Sequence, residues 1–494
     1  MALTAPGQVK MASSFAPTGE QVAIMTAFNE GDLVVAEALA GTGKTTTLKA
    51  ISGIQPMRPG TYLAFNKSIV RGAEGTFPGR VNVTTAHALA YKAIGHTFGH
   101  RLPGNPGATR MSAKRMATFM KVKAAQLDSG TLNPVVVTRM AQATVANYIK
   151  SPDVELGPKH IPGRVLQHHD PISVASVVLP VARRIWADLS STNGKFFFTH
   201  DVYLKHWALS NPVINSDYIM FDEAQDSDPV IASIVARQPA QLVYVGDRNQ
   251  AIYGWRGAVD SMSHVQGATR LPLTKSFRFG PAIAEAANQW LDLLGSDLRV
   301  VGHDPVKSVV GELTGAPRAI LCRTNGTALG WVLAFQARGI KVALAPGDKT
   351  AGKDIERFAW AARDLMNGEG TDHPDLVGFT TWNEVVQYAE EEEDGADLKR
   401  LVGIINRIGY PAVIDAIRGL SLERDAQVTV STAHKAKGLE WGAVKVADDF
   451  VPPDREADDE PVDPADLMLA YVTVTRAKLQ LDPGPLGEPQ LWRP

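Results

Sequence analysis

The chain has 494 residues, 45% apolar and 21% charged, and its 50 Lys and Arg nearly balance 52 Asp and Glu to leave a formal net charge of −2. That length exceeds what one hydrophobic core can serve and predicts about three or four compact units of ordinary globular composition. The near-neutral balance confines any polyanion-binding surface to a local patch, and Cys322, the only cysteine, excludes an intramolecular disulfide framework and a cysteine-held zinc or iron–sulfur site.

Met1 to Ala16 is small, polar and aperiodic and reads as a loose tail without the apolar core of a signal peptide. No later apolar run approaches the ~18 residues of a membrane span, so a reducing, cytoplasmic location is expected. Thr18-Gly-Glu-Gln21 reads as a helix cap, with Val22, Ile24, Met25 and Phe28 as the apolar residues behind it. The Gln21 amide offers a donor and an acceptor that suit the edge of adenine, and equally suits a solvated helix position. Leu33 to Ala36 is a buried-strand run, and Glu37 to Leu48 follows as a glycine turn and helix start. In that geometry the N–H groups of Gly41, Thr42, Gly43 and Lys44 curl around a phosphate, with Lys44 adding a point charge. The Thr45 hydroxyl can ligate Mg²⁺, with Thr46 beside it among the nucleotide contacts. The segment reads as a nucleoside-triphosphate site, the plainer alternative being a Gly/Thr-rich turn after a strand.

Thr61 to Lys67 is a second strand, ending in Phe65, Asn66 and Lys67, and Val81 to His87 a third, ending at Thr85 and His87. Ligands of open parallel sheets lie at the carboxyl ends of strands, so these groups are expected to line a groove, although Phe65 reads equally as core and His87 as an internal histidine. Between Arg58 and Lys150 lie 13 Lys and Arg against 2 Asp and Glu, which implies a phosphate-backbone partner or a set of solvated helix faces such as Ser112 to Leu127. Residues 91–185 read as a mostly helical, basic insertion. Tyr218 to Asp226 places Asp222 at the end of a buried strand, where it can hold Mg²⁺ opposite Thr45, and Glu223 beside it to polarise a water. Leu242 to Ala258 opens as a further strand that ends in polar residues and runs on through Gln250, suited to sensing the γ-phosphate, to Tyr253 and Trp255 with flat faces for bases beside Arg256.

The set Ala-x-x-Gly-x-Gly-Lys-Thr, Asp-Glu-Ala-Gln-Asp and Gly-Asp-x-x-Gln-x-Ile-Tyr-x-Trp-Arg-Gly-Ala resembles the UvrD/Rep-like branch of superfamily 1 DNA helicases. Ala38 stands where the general P-loop pattern has Gly, and that form is the one seen in this superfamily. Leu273 to Ala284, Val430 to Trp441 and Leu469 to Lys478 resemble the fourth, fifth and sixth motifs. Ser276-Phe-Arg-Phe-Gly280 and His434-Lys-Ala-Lys-Gly-Leu-Glu440 look most like the F-box DNA helicase subgroup. No F-box-like segment precedes the motor, so a ubiquitin-ligase partner is not expected.

The resemblance implies an α/β fold of two RecA-like P-loop parallel-sheet domains with mostly helical insertions. The boundaries expected are 1–90 with 186–280 for the first, 281–350 with 425–494 for the second, and a small acidic helical insertion at 351–424. It also implies that Phe277 stacks on adenine, that Gln21 reads its edge, and that Arg278 and Arg476 approach the γ-phosphate. Glu440 and Gln250 would connect the nucleotide to a DNA track lined by Phe65, Asn66, Lys67, His87, Tyr253, Trp255, Arg256 and His434. The expected cofactors are ATP and Mg²⁺, and the expected partners single-stranded DNA and its junctions with duplex, bound by a monomer. The activity implied is ATP-driven 3′→5′ helicase action, nucleoid-associated in a prokaryotic or phage setting. The alternatives are a single-strand translocase that remodels protein–DNA complexes without unwinding, and a P-loop switch indifferent to nucleic acid. Asp448 to Asp466 reads as an exposed loop before the last strand.

Overall fold

The computed structural model describes residues 16–492 apart from 104, 106–110, 128, 129, 164–169, 255, 256, 349, 372, 374, 377, 378, 380, 392–395 and 453–461, so most of the expected N-terminal tail lies outside the described residues. Two compact units are present, one of Met1–Glu37 with Lys44–Pro272 and one of Ala38–Gly43 with Leu273–Pro494.

The first unit is built on β1 (Val34–Ala38), β2 (Gly60–Leu63), β3 (Val81–Thr84), a detached antiparallel pair β4 (Ala125–Leu127) and β5 (Gly130–Leu132), then β6 (Tyr218–Asp222), β7 (Gln241–Gly246) and β8 (Thr269–Leu273). The six-stranded sheet has the order β3-β2-β6-β7-β1-β8, and the first five strands in that order are parallel. Register places Val35 beside Tyr244 and Met220 beside both Tyr62 and Val243. Helices cover such a sheet on both faces, which is why β1 and β6 are near-continuous apolar runs instead of alternating ones. Val34, Val35, Ile219 and Met220 are fully buried. The carboxyl ends of β1, β6 and β7 therefore present the residues that follow them along one edge of the sheet.

Between β3 and β6 the chain is mostly helical, including Pro134–Ile149, Pro171–Ser190 and His200–Leu209. Two expectations are corrected here. The third strand stops at Thr84, because the Thr85 hydroxyl accepts the Ala88 N–H at 3.2 Å and caps the helix Ala86–Ala93, which puts His87 in a first helical turn. The helix expected over Ser112 to Leu127 ends at Phe119, since Lys121 takes φ 50° and Val122 N–H returns to the Ala117 carbonyl at 2.9 Å.

The second unit carries β9 (Val309–Val310), β10 (Ala319–Cys322), β11 (Val342–Leu344), β12 (Val428–Thr432), β13 (Trp441–Val446) and β14 (Ala477–Asp482), all parallel in the order β11-β12-β10-β13-β14-β9. Its core joins Ile320, Leu329 and Val430 to Phe358, Val385 and Ile405 of the helices inserted between β11 and β12. Of the loop expected over Asp448 to Asp466, residues 453–461 lie outside the described residues, and its end is corrected, because Asp463 caps a helix over Pro464–Val474. The architecture is thus α/β, two RecA-like parallel-sheet domains with mostly helical insertions.

Cys322 sits at the end of β10 with no exposed surface, and burial pushes its thiol well above the ordinary value. Alkylation of the native chain near pH 8 is expected to be slow and to become rapid on addition of denaturant. Fast labelling of the folded chain would contradict this placement.

Candidate functional site

The turn after β1 needs glycine at two positions, Gly41 at φ 75° and Gly43 at φ 80°. Gly41 is further constrained within the second unit, where an added Cβ would lie 2.5 Å from Ser276 Oγ and 2.6 Å from Arg278 Cβ. Phe277 N–H donates to the Gly41 carbonyl at 2.8 Å, and Ala40 N–H donates to the Tyr471 hydroxyl at 3.1 Å. The helix Lys44–Ile54 starts directly after the turn and carries Lys44, Thr45 and Thr46 in its first residues.

Asp222 is 3% exposed at the end of β6. Its Oδ2 accepts the Tyr62 hydroxyl at 2.5 Å and its Oδ1 accepts the Glu223 N–H at 3.0 Å. Burial first, and the neighbouring Glu223 carboxyl second, raise Asp222 to about 6, while Tyr62 and the Lys44 charge favour its ionised form. Tyr62 bonds both Asp222 and Thr45, and burial together with Asp222 pushes its phenol far above the ordinary value. The hydroxyl of Thr45 and the carboxyl of Asp222 thus flank one phenolic oxygen.

This donor set fits Mg²⁺ held in part by substrate. Among the described residues no cluster of three or more His, Cys, Asp or Glu could hold a metal, so there is no all-protein cage. Mg²⁺ is commonly bound by one carboxylate plus phosphate oxygens and water, and Asp222 with Thr45 supplies such a half-site. A cation here would also relieve the burial of Asp222 beside Glu223. When bound, it would neutralise charge on the β- and γ-phosphates.

Glu223 takes φ 53°, ψ 42°, a left-handed conformation that costs a non-glycine residue about 1–3 kcal/mol. Its Oε2 accepts Gln225 Nε2 at 2.6 Å. Gln225 Oε1 in turn accepts the Asp247 N–H at 3.1 Å, and Asp247 Oδ2 accepts Gln250 Nε2 at 2.7 Å. Gly246 allows this approach, since a Cβ there would lie 2.2 Å from Gln225 Oε1. A hydrogen-bonded path therefore runs from Glu223 to Gln250.

Glu223 also lines a pocket of about 280 Å³ with Phe65, His87 and Tyr253. Phe65 is 47% exposed and its ring lies parallel to Tyr253, centroids 6.2 Å apart at 10°. His87 Nε2 meets Asp201 Oδ1 at 3.1 Å, and this bond, outweighing burial, holds the Asp201 carboxyl below its ordinary value. Asn66 accepts the Ile69 N–H and caps the helix Lys67–Ala73, with Lys67 exposed at its start. Trp255 and Arg256 lie outside the described residues.

Gln21 is buried, its Oε1 accepting Thr18 N–H and its Nε2 donating to Thr47, both at 3.0 Å. In the second unit Phe277 is 40% exposed beside His303. Arg278 Nε donates to Glu440 Oε2 at 2.7 Å and its Nη1 to the Thr475 carbonyl at 3.2 Å. Burial raises Glu440, but Arg278 and Lys478 together hold its carboxyl below the usual range. Arg476 is 2% exposed and donates to the Val472 carbonyl at 2.8 Å and the Thr475 hydroxyl at 3.0 Å. His434 is half-buried on the short helix Ala433–Ala436. Sequence reasoning missed Tyr62, Asp247 and the relay role of Gln225. A tyrosine within an apolar strand carries no distinguishing signal, whereas Gln225 and Asp247 stand inside motifs whose signal lies in other members.

The description "UvrD/REP helicase N-terminal domain" matches residues 195–265 and "UvrD-like helicase C-terminal domain" matches residues 379–482. The chain is 28% identical to F-box DNA helicase protein 1 of Schizosaccharomyces pombe, over 94% of this chain and 57% of that protein. It is 28% identical to F-box DNA helicase 1 of Gallus gallus, over 93% of this chain and 48% of that protein. A probable DNA helicase II homolog of Rickettsia conorii is 24% identical over 70% of this chain and 54% of the relative. The chain spans about half the length of the curated relatives it matches. These findings bear out the resemblance to UvrD/Rep-like helicases and, within them, to F-box DNA helicases.

Tyr62 donates to the ionised form of Asp222, so removing its hydroxyl raises the carboxyl further. Mg²⁺-dependent nucleotide binding is expected to weaken as pH falls through about 6, where Asp222 takes up a proton, and Tyr62→Phe is expected to move that midpoint upward. Titration of a fluorescent nucleotide across this range checks the sign. A midpoint that stays or falls in the variant would remove Tyr62 from the site.

Proposed function

We propose that the chain is an ATP-dependent DNA helicase that moves along a single strand in the 3′→5′ direction. The observation that carries this reading is the shared wall of the 280 Å³ pocket, where Glu223 stands with Phe65, His87 and Tyr253. A carboxylate suited to orienting the attacking water and aromatic faces suited to stacking bases then belong to one rigid sheet edge. The matches to UvrD/REP helicase domains support the same reading.

In this account the N–H groups of the turn and Lys44 hold the phosphates, Thr45 and Asp222 hold Mg²⁺, and Glu223 orients water. Gln250 senses the γ-phosphate. Arg278 and Arg476 neutralise charge that develops during transfer, an effect that can be worth about 10³–10⁵ in rate. Phe277 takes the adenine face. For Gln21 to read adenine's edge, its amide must use its second donor and acceptor or exchange its bond to Thr47. Glu440, already paired with Arg278, is assigned to link nucleotide and DNA. Asn66 and Lys67 of the first unit and His434 of the second are assigned to DNA contact, and Trp255 and Arg256, outside the described residues, are assigned to it from their motif. The motor domains are assigned to 1–90 with 186–280 and to 281–350 with 425–494, with insertions at 91–185 and 351–424. A second reading, remodelling of protein–DNA complexes without strand separation, is favoured by the small size of the insertion at 351–424.

Lys44→Ala is expected to abolish hydrolysis, and Glu223→Gln to retain ATP binding while stopping the chemistry. Equal loss of binding and rate in Glu223→Gln would make that residue structural. Strand displacement on a 3′-tailed duplex separates the two readings. ATP-driven unwinding supports the helicase, and translocation without unwinding supports the remodeller.

A further inference from the structure

The first unit carries a second concave surface, formed where the inserted helix Ala113–Phe119 faces the turn just after residue 190, and none of its lining residues belongs to the phosphate turn or to the Asp222–Glu223 pair. One wall is the outward face of the helix Ala113–Phe119, with Lys114, Arg115 and Phe119, and the other is the turn that carries Lys195. Between them lies a cleft of about 950 Å³, room for a few nucleotides.

The turn is built stiffly. Asp188 accepts the Lys195 N–H at 2.9 and 2.8 Å and the Phe196 N–H at 2.9 Å. Arg101, buried, donates to the carbonyls of Asp188 at 3.1 Å, Leu189 at 3.4 Å and Phe196 at 2.9 Å, and also to that of Ser191. Gly194 is required, because a Cβ would lie 2.1 Å from the Asp188 carbonyl oxygen and 2.6 Å from Arg101 Nη1. Asp188 and Arg101, 3.3 Å apart, thus spend opposite charges on one another and on the backbone.

What remains at the surface is cationic. Lys114, Arg115 and Lys195 are exposed, and none forms an ion pair among the described residues. Phe119 is 57% exposed and meets Phe196 edge to face at 5.9 Å and 77°, an arrangement that leaves ring surface open. Unpaired cations hold a phosphate backbone, and an open aromatic face between them takes a base that is free of its complement. A paired duplex presents no such base, so the ring favours single strand over duplex.

We propose that this cleft binds a short stretch of single-stranded DNA, a contact separate from the Phe65–Tyr253 face. The inference rests on the DNA-translocating reading above. It predicts that the strand engages the chain at two places and that the second adds affinity only for longer strands.

The test uses the full chain with fluorescent oligothymidylates, short and long, and a blunt duplex of matched length. In the double variant Lys114→Ala, Lys195→Ala the slope of log affinity against log salt for the long strand is expected to fall by about 1.4, two contacts at ~0.7 each. Phe119→Ala is expected to weaken the same complex about fivefold or more. Melting temperatures should match wild type, since all three side chains are exposed. Unchanged slope and affinity in both variants, with wild type binding the strand, would overturn the proposal while leaving the motor reading intact. Loss of duplex affinity with single-strand affinity kept would assign the cleft to duplex and overturn it too. If wild type binds no single strand at all, the motor reading fails and this inference falls with it.

Discussion

Two carboxyl groups stand side by side where β6 ends, one of them buried, and each asks something of its surroundings. Asp222 is held by Tyr62 and by the Glu223 N–H, yet burial and Glu223 still leave its charge disfavoured. Ionisation of a buried carboxylate is costly unless it is paired, so a proton below about pH 6, or a cation above it, would ease the strain on that carboxyl. Thr45 reaches the same phenolic oxygen from the helix that follows the phosphate turn. The fold therefore carries an electrostatic deficit at the place where a metal–triphosphate complex would resolve it.

Glu223 departs from its neighbour in conformation as well as in role. Its left-handed backbone points the carboxylate towards Gln225, and the bonds onward to Asp247 and Gln250 bind the loop after β7 to the residue that would handle water. Tyr253 follows three residues later and faces Phe65 across the pocket. A strand stacked on these rings would press on a chain of hydrogen bonds that ends at Glu223. If Glu223 orients the attacking water as proposed, that chain would let a bound strand influence ATP turnover.

Much of this was legible in the sequence because parallel strands buried on both faces leave unbroken apolar runs, and the polar residues just past them fall at one edge. Lys44, Thr45, Asp222 and Glu223 are singled out that way, and the structure sets Thr45 and Asp222 on one phenolic oxygen. Tyr62 is not singled out, since its ring reads as core and its hydroxyl finds Asp222 only through pairing of β2 with β6. His87 and the helix after Ser112 were misplaced by capping and turn geometry, where a single threonine hydroxyl or one left-handed residue outweighs a longer apolar pattern. Gln21 and Arg476 were identified by motif, but motif alone gives no account of the buried bonds each makes to Thr47 and to the Val472 carbonyl.

The coupling proposed here joins hydrolysis to a nucleic-acid strand along one sheet edge. Its most direct test is the ATP turnover rate of the intact chain, measured at saturating Mg²⁺ with and without a single-stranded oligonucleotide. A many-fold rise is expected when the strand is added. A rate indifferent to DNA would contradict it and leave a nucleotide switch with no nucleic-acid partner.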